Sequence, residues 1–154
     1  MRDMGRAADM AWLGFGDEIE VPDTRTGGTR ALARYRLHLS RPFRLSGPGA
    51  AIAAAHDMYH ARVNPGHEPD SFEWDRRGAT WYDARVDEFV ARLEAEPILV
   101  EGVAADDFGG FRITLSAGHA LQVFPTTSYP REHWRFFDQS DDGPHFVVFD
   151  DEST

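Results

Sequence analysis

The sequence predicts an α+β domain: mainly antiparallel β-sheet, a meander either barrel-like or split into two sheets, with one long amphipathic helix packed on it. Three observations lead there. Residues 30–40 alternate, with Ala33, Tyr35, Leu37 and Leu39 on one face and Arg34, Arg36 and His38 on the other, the period-2 signature of a half-buried strand. Val86, Phe89, Val90 and Leu93 recur at i, i+3, i+4 and i+7, an apolar stripe with helical period. After Pro97, short apolar runs are separated by Gly-containing turns at 106–110 and 116–118, the way antiparallel neighbours are joined. The stripe and the sheet face each need the other for burial.

In chain order, residues 10–15 are apolar and aromatic and read as a short strand or a docked segment. Residues 17–21 alternate, with Ile19 and Val21 on one face, and form a half-buried strand. Residues 22–28 are a loop by composition. Pro42 interrupts the strand at 30–40, and Phe43 and Leu45 continue its inward face up to the Gly-Pro-Gly turn at 47–49. Residues 50–62 admit two readings: alanine favours helix by propensity, whereas position after a turn favours a further strand. Residues 63–80, with Pro65, Gly66, Pro69 and Gly78, form a long loop. The helix occupies about 81–96 and stops at Pro97. A β-meander follows over about 98–149, closing with a hairpin of 134–137 against 146–149, and the tail 150–154 frays.

The 154 residues fit one domain, 1–154, and 42% hydrophobic with 12% aromatic content suffices for a core. There is no apolar run of about 18 residues, so no transmembrane helix is expected, and no signal-type segment follows the first residues; a cytoplasmic location is the simplest expectation. The absence of cysteine excludes disulfides, thiolate metal sites and thiol nucleophiles. All 16 basic residues are arginine, which excludes a Schiff-base lysine and a P-loop. Net charge is -10, and residues 46–154 carry eight Arg against twenty Asp and Glu. Nucleic acid, bound through its phosphates, is a poor partner for such a chain; a protein with a basic surface suits it.

No catalytic signature stands out. His56 and His60, one helical turn apart, with His67 downstream, have ligand-type side chains, but no Glu follows the first as in zincins, and two surface histidines explain them as well. No metal or other cofactor is expected. The acid pairs Asp106-Asp107 and Asp141-Asp142 lie in turns, where Asp is favoured for conformational reasons. Trp134-Arg135 lies among aromatics; alternation puts Trp134 and Phe136 on one face and His133, Arg135 and Phe137 on the other. Arg135 then serves either a structural ion pair or an anion site, with Trp134 beside it. Finally Asp138, Asp141, Asp142, Asp150, Asp151 and Glu152 concentrate acid at one hairpin and the tail, a surface for a basic partner or merely a solvated end.

Arg6-Ala7-Ala8-Asp9-Met10, Tyr35-Arg36-Leu37-His38-Leu39, Asp57-Met58-Tyr59, Leu121-Gln122-Val123-Phe124-Pro125, Glu132-His133-Trp134-Arg135-Phe136-Phe137 and His145-Phe146-Val147-Val148 resemble motifs of a group of small bacterial domain proteins common in actinobacteria. The resemblance spans nearly the whole chain and marks a fold, not an activity. It implies that 50–60 is strand rather than helix and carries over no catalytic residue. Small acidic proteins of this style include immunity proteins and antitoxins. The expectation is therefore a non-catalytic domain that engages a basic protein partner, such as a toxin, through its acidic surface. The alternative is an enzyme or sensor with a ligand or metal site near Arg135 and His56/His60.

Overall fold

The computed structural model describes residues 1–40, 42–129, 131–141 and 143–149. In chain order these form β1 (Asp3–Ala7), β2 (Met10–Pro22), β3 (Thr29–Leu39), β4 (Phe43–Gly47), β5 (Ala50–Ala54), a 3-10 turn of helix (Ala55–Tyr59), α1 (Trp81–Leu93), β6 (Val100–Ala105), β7 (Phe111–Leu115), β8 (His119–Val123), β9 (Glu132–Asp138) and β10 (Phe146–Phe149). All pairing is antiparallel. One sheet has the order β1-β2-β3-β9-β10, the other β5-β4-β8-β7-β6. They face each other as a sandwich that does not close into a barrel, sharing one core that includes Leu13, Leu37, Leu45 and Leu121.

Where period is strong, the chain does what its local pattern dictates. The alternation at 30–40 is β3, and Leu37 and Leu39 are buried in the sandwich. The helix begins where expected because Thr80 caps it: its hydroxyl accepts from Asp83 N–H while the Asp83 side chain accepts from Thr80 N–H, a reciprocal capping box. It ends at Leu93, three residues short of the expected Glu96. The ambiguous segment 50–62 is divided: Ala50–Ala54 pairs with β4 and Ala55–Tyr59 winds into 3-10 helix, so neither a strand nor a helix runs through it.

One strand was not expected and two expectations are corrected. β1 carries no period that announces it; it forms by pairing with β2. Residues 10–15 and 17–21 belong to one strand, bent by a register shift between Phe15 and Glu18 where Gly16 takes φ +79°, the extra residue of a bulge. Residues 98–149 are not one meander: β6, β7 and β8 run through the second sheet, whereas β9 crosses to pair with β3 and carries β10 with it.

The helix does more than cover a face. Its backbone approaches β1 and β5, the edge strands of the two sheets on one side of the sandwich. The Tyr82 hydroxyl donates to Gly5 O of β1 at 3.2 Å and Arg85 Nε donates to Ile52 O of β5 at 3.2 Å. Tyr82, Val86, Phe89 and Leu93 are buried beneath it. The Arg6 guanidinium of β1 donates to both Asp83 oxygens at 2.9 and 2.7 Å. Burial pulls Asp83 up, yet the bonds from Arg6 and Thr80 outweigh it and hold the carboxyl below its usual range. On this side α1 covers the core, and a groove of about 700 Å³ with a partly polar lining remains between it and β1.

Candidate binding cleft

On the opposite side lie β10 and β6, the other two edges. Among the described residues no helix or strand covers the gap between them. The register aligns Leu13, Leu37, Phe136 and Phe146 in one row across the first sheet, and exposure climbs along it from 0% at Leu13 to 63% at Phe146. Across the second sheet the row Leu45, Leu121, Ile113, Val103 climbs from 0% to 66%. Both rows face inward. The sheets therefore leave their inner apolar faces uncovered at this side, as a cleft of about 370 Å³.

The second sheet supplies Val100, Val103 and Ala105 from β6 and Phe111 and Ile113 from β7. The first supplies Phe15, Leu37, Trp134, Phe136 and Phe146. Trp134 fixes the floor. Its ring meets Phe111 edge-on with centroids 4.8 Å apart and lies 5.6 Å from Phe146. Its indole Nε1–H donates to Gly109 O at 2.8 Å, which satisfies its polar atom and leaves the ring as the surface offered to the cleft. Gly109 takes φ +81°, and a Cβ there would sit 3.2 Å from Val148 and 3.4 Å from His133, so a larger residue would be strained and would crowd the loop that holds Trp134. The cleft is lined by hydrocarbon and aromatic side chains alone. It offers a ligand apolar and aromatic contact and no group to take or give a proton.

Alternation puts Arg135 on the other face of the sheet. There Arg135 Nε donates to Glu132 Oε1 at 2.6 Å and a second N–H donates to Oε2, a bidentate pair in which the guanidinium holds the Glu132 carboxyl below its usual range. His145 Nδ1 lies 3.4 Å from Arg135, and its ring stacks on Phe137 at 4.2 Å. His38, opposite Arg135 on β3, has its pKa lowered by burial and then by Arg135 and Arg36. Trp134 and Arg135 thus belong to different surfaces. His133, expected beside Arg135 and Phe137, is buried against Gly109, because the β9–β10 register shifts between Val148 and Phe149.

The histidines are not gathered. His56 and His67 are exposed. His60 Nδ1 lies 3.0 Å from Glu68 Oε1, which also accepts from the N–H groups of Gly66 at 2.7 Å and Ala61 at 3.1 Å. These bonds, Gly66 first and His60 next, bring the Glu68 carboxyl to about 2; His60 thereby helps close the long loop. Among the described residues no three His, Asp or Glu side chains converge to hold a metal. Of the acidic residues, Asp138 accepts from Ser140 and from Arg34 Nε at 2.9 Å, and Asp141 accepts from Gly143 N–H at 3.1 Å. Both are engaged locally. Asp142, Asp150, Asp151 and Glu152 lie outside the described residues. Asp106 accepts from Phe108 and Gly110 N–H, both at 2.8 Å, and so shapes its turn.

No family model, curated protein or solved structure matches the chain. Function is therefore read from the chemistry of the cleft. No helix among the described residues is long and apolar enough to cross a membrane. Of the cleft residues, only Trp134 is singled out by sequence as a ligand-site candidate. The rest look like ordinary inward-facing strand residues, and what distinguishes them is their place at the uncovered edge.

Proposed function

We propose that this chain is a non-catalytic protein-binding domain: a partner seats an apolar segment in the cleft between β6 and β10, and the acidic charge of the chain steers a basic partner to it. Neutralisation of a basic toxin, in the manner of an immunity protein or antitoxin, is the biological form we assign to this reading. One observation carries it: the rise in exposure along both inward rows toward the same side. Large apolar side chains gathered on one exposed surface mark interaction sites in soluble proteins. The net charge of -10 supports the basic character of the partner.

The test is photo-cross-linking in the cells that make the protein, with p-benzoylphenylalanine replacing Val103 in the cleft or Arg112 on the outer face of the neighbouring strand. One basic protein cross-linked from position 103 and not from 112 is the expected result. Equal labelling from both positions, or labelling of lipid and metabolite alone, defeats the reading.

A second reading rests on the volume. About 370 Å³ with a wholly apolar lining falls within the range of small-molecule sites, roughly 300–1,000 Å³. It makes the domain a carrier or sensor of an apolar small molecule held against Trp134, and leaves Arg135, His56 and His60 outside the site.

A further inference from the structure

We infer that the segment seated in the cleft is an amphipathic α-helix with a basic outer face, held on the β6–β10 side as α1 is held on the β1–β5 side. This rests on the protein-binding reading above and specifies the occupant.

The molecule itself shows how such a side is closed. On the β1–β5 side, α1 places one apolar stripe, Tyr82, Val86, Phe89 and Leu93, into the core and reaches backbone carbonyls of both edge strands with side-chain donors. The dimensions explain why a helix is used. Facing sheets of a sandwich lie about 10 Å apart and a helix with its side chains is about 10–12 Å across, so one helix spans the gap between two edges. An added β-strand lengthens one sheet by only about 4.8 Å. It would turn alternate side chains away from the cleft and leave the opposite row, at Phe146 or at Val103, uncovered.

The β6–β10 side repeats the features that α1 answers. Two edge strands face each other across inward apolar rows, with Val103 on one and Phe146 on the other. No polar side chain lines the floor, so the buried stripe of the occupant is wholly apolar. Its outer face is set by the rim. Glu101 of β6 and Asp106 and Asp107 just beyond it are exposed, and residues 98–111 carry no Arg to offset them. A helix with Arg or Lys on its solvent side complements that rim.

The test uses the full chain and three probes. One is a synthetic peptide of about 18 residues, Leu and Arg only, with Leu at helical spacing, long enough for several turns. The second has the same composition with Leu and Arg alternating, the strand period. The third is dodecanoate. Titration calorimetry gives stoichiometry and affinity, and difference circular dichroism gives induced helix. The expected result is one helical-period peptide per chain, with induced helix. Binding should weaken about tenfold or more, roughly 1.4 kcal/mol or more, in the Val103→Asp/Phe146→Asp double variant, and should weaken as salt rises to about 0.3 M, where screening is strong. Because both positions are exposed, the variant folds, and its unaltered melting curve checks this.

If the alternating peptide binds as tightly and no helix is induced, the helix is wrong while the protein-binding reading survives. If dodecanoate binds and neither peptide does, both give way to the small-molecule reading. Peptide binding that the double variant leaves unchanged, or no binding by any probe, overturns the inference and the cleft with it.

Discussion

The two sides of this sandwich differ in one element. At β1 and β5 a helix plugs the gap, its donors reach the edge carbonyls, and an Arg–Asp pair buried to 3% and 11% side-chain exposure ties it to β1. At β10 and β6 the same kind of gap, lined by the same kind of side chain, is uncovered. The lesson concerns what an apolar residue is for. Leu13 and Phe146 occupy one registered row, yet Leu13 stabilises the fold and Phe146 is left to do something else.

The comparison is sharpest if the same truncation is made on each side. Phe89→Ala in α1 should cost about 3–5 kcal/mol, the range for emptying a buried aromatic site, whereas Phe146→Ala should change stability by less than about 1 kcal/mol because the ring is already mostly in water. Urea unfolding of both variants measures this, and equal costs would erase the distinction between the sides.

Next comes Arg6→Ala. It strands a buried carboxylate, which costs about 3 kcal/mol or more. The folded Asp83 pKa lies below its unfolded value, so its contribution is present above the ordinary carboxylate range, about 4, and is lost as pH falls through the folded value. The variant should show a flatter acid limb in stability against pH.

A smaller effect is expected from Trp134→Phe on the open side. It removes the donor to Gly109 O, worth about 1 kcal/mol, and keeps most of the ring surface. The loop at 106–110 should lose hydrogen-exchange protection while α1 keeps its own.

The smallest effect belongs to His38. Its folded pKa is below its unfolded value, by burial first and then by Arg135 and Arg36. The unfolded chain therefore binds the proton more readily, and stability should fall as pH drops below about 6.5 toward the folded value and level off beyond it. His38→Gln should remove this component, seen as a shallower slope of melting temperature between pH 7 and 5.

Legibility followed locality. β3, α1, β7, β8 and the turn at 116–118 were readable because their patterns complete within a dozen residues. β1 was not: Asp3-Met4-Gly5-Arg6-Ala7 has one apolar side chain facing the core. The reason for Gly5 is tertiary: a Cβ there would lie 2.4 Å from the Trp12 ring, which covers it while Arg36 sits 4.4 Å above the ring. The division into two sheets was open for the same reason. β9 pairs with β3 across about a hundred residues, and no local signal specifies that partner. The cleft followed from strand order alone, since Val103 and Ile113 carry the same inward alternation and differ only in how far they lie from the closed side. Trp134 and Arg135 could be told apart in advance by alternation, but which face was the core could not. His133 escaped because a bulge breaks the alternation on which its assignment rested.

The indole of Trp134 has a practical consequence. The chain has four tryptophans. Trp12 lies beneath Arg36, Trp74 against Tyr59 and Trp81 near Arg85, and only Trp134 faces the cleft. Whatever enters displaces solvent from that ring and no other, so the difference in emission between the native chain and Trp134→Phe isolates a single chromophore. The domain carries its own optical gauge of occupancy, and a compound collection can be sorted by it without a label on either molecule.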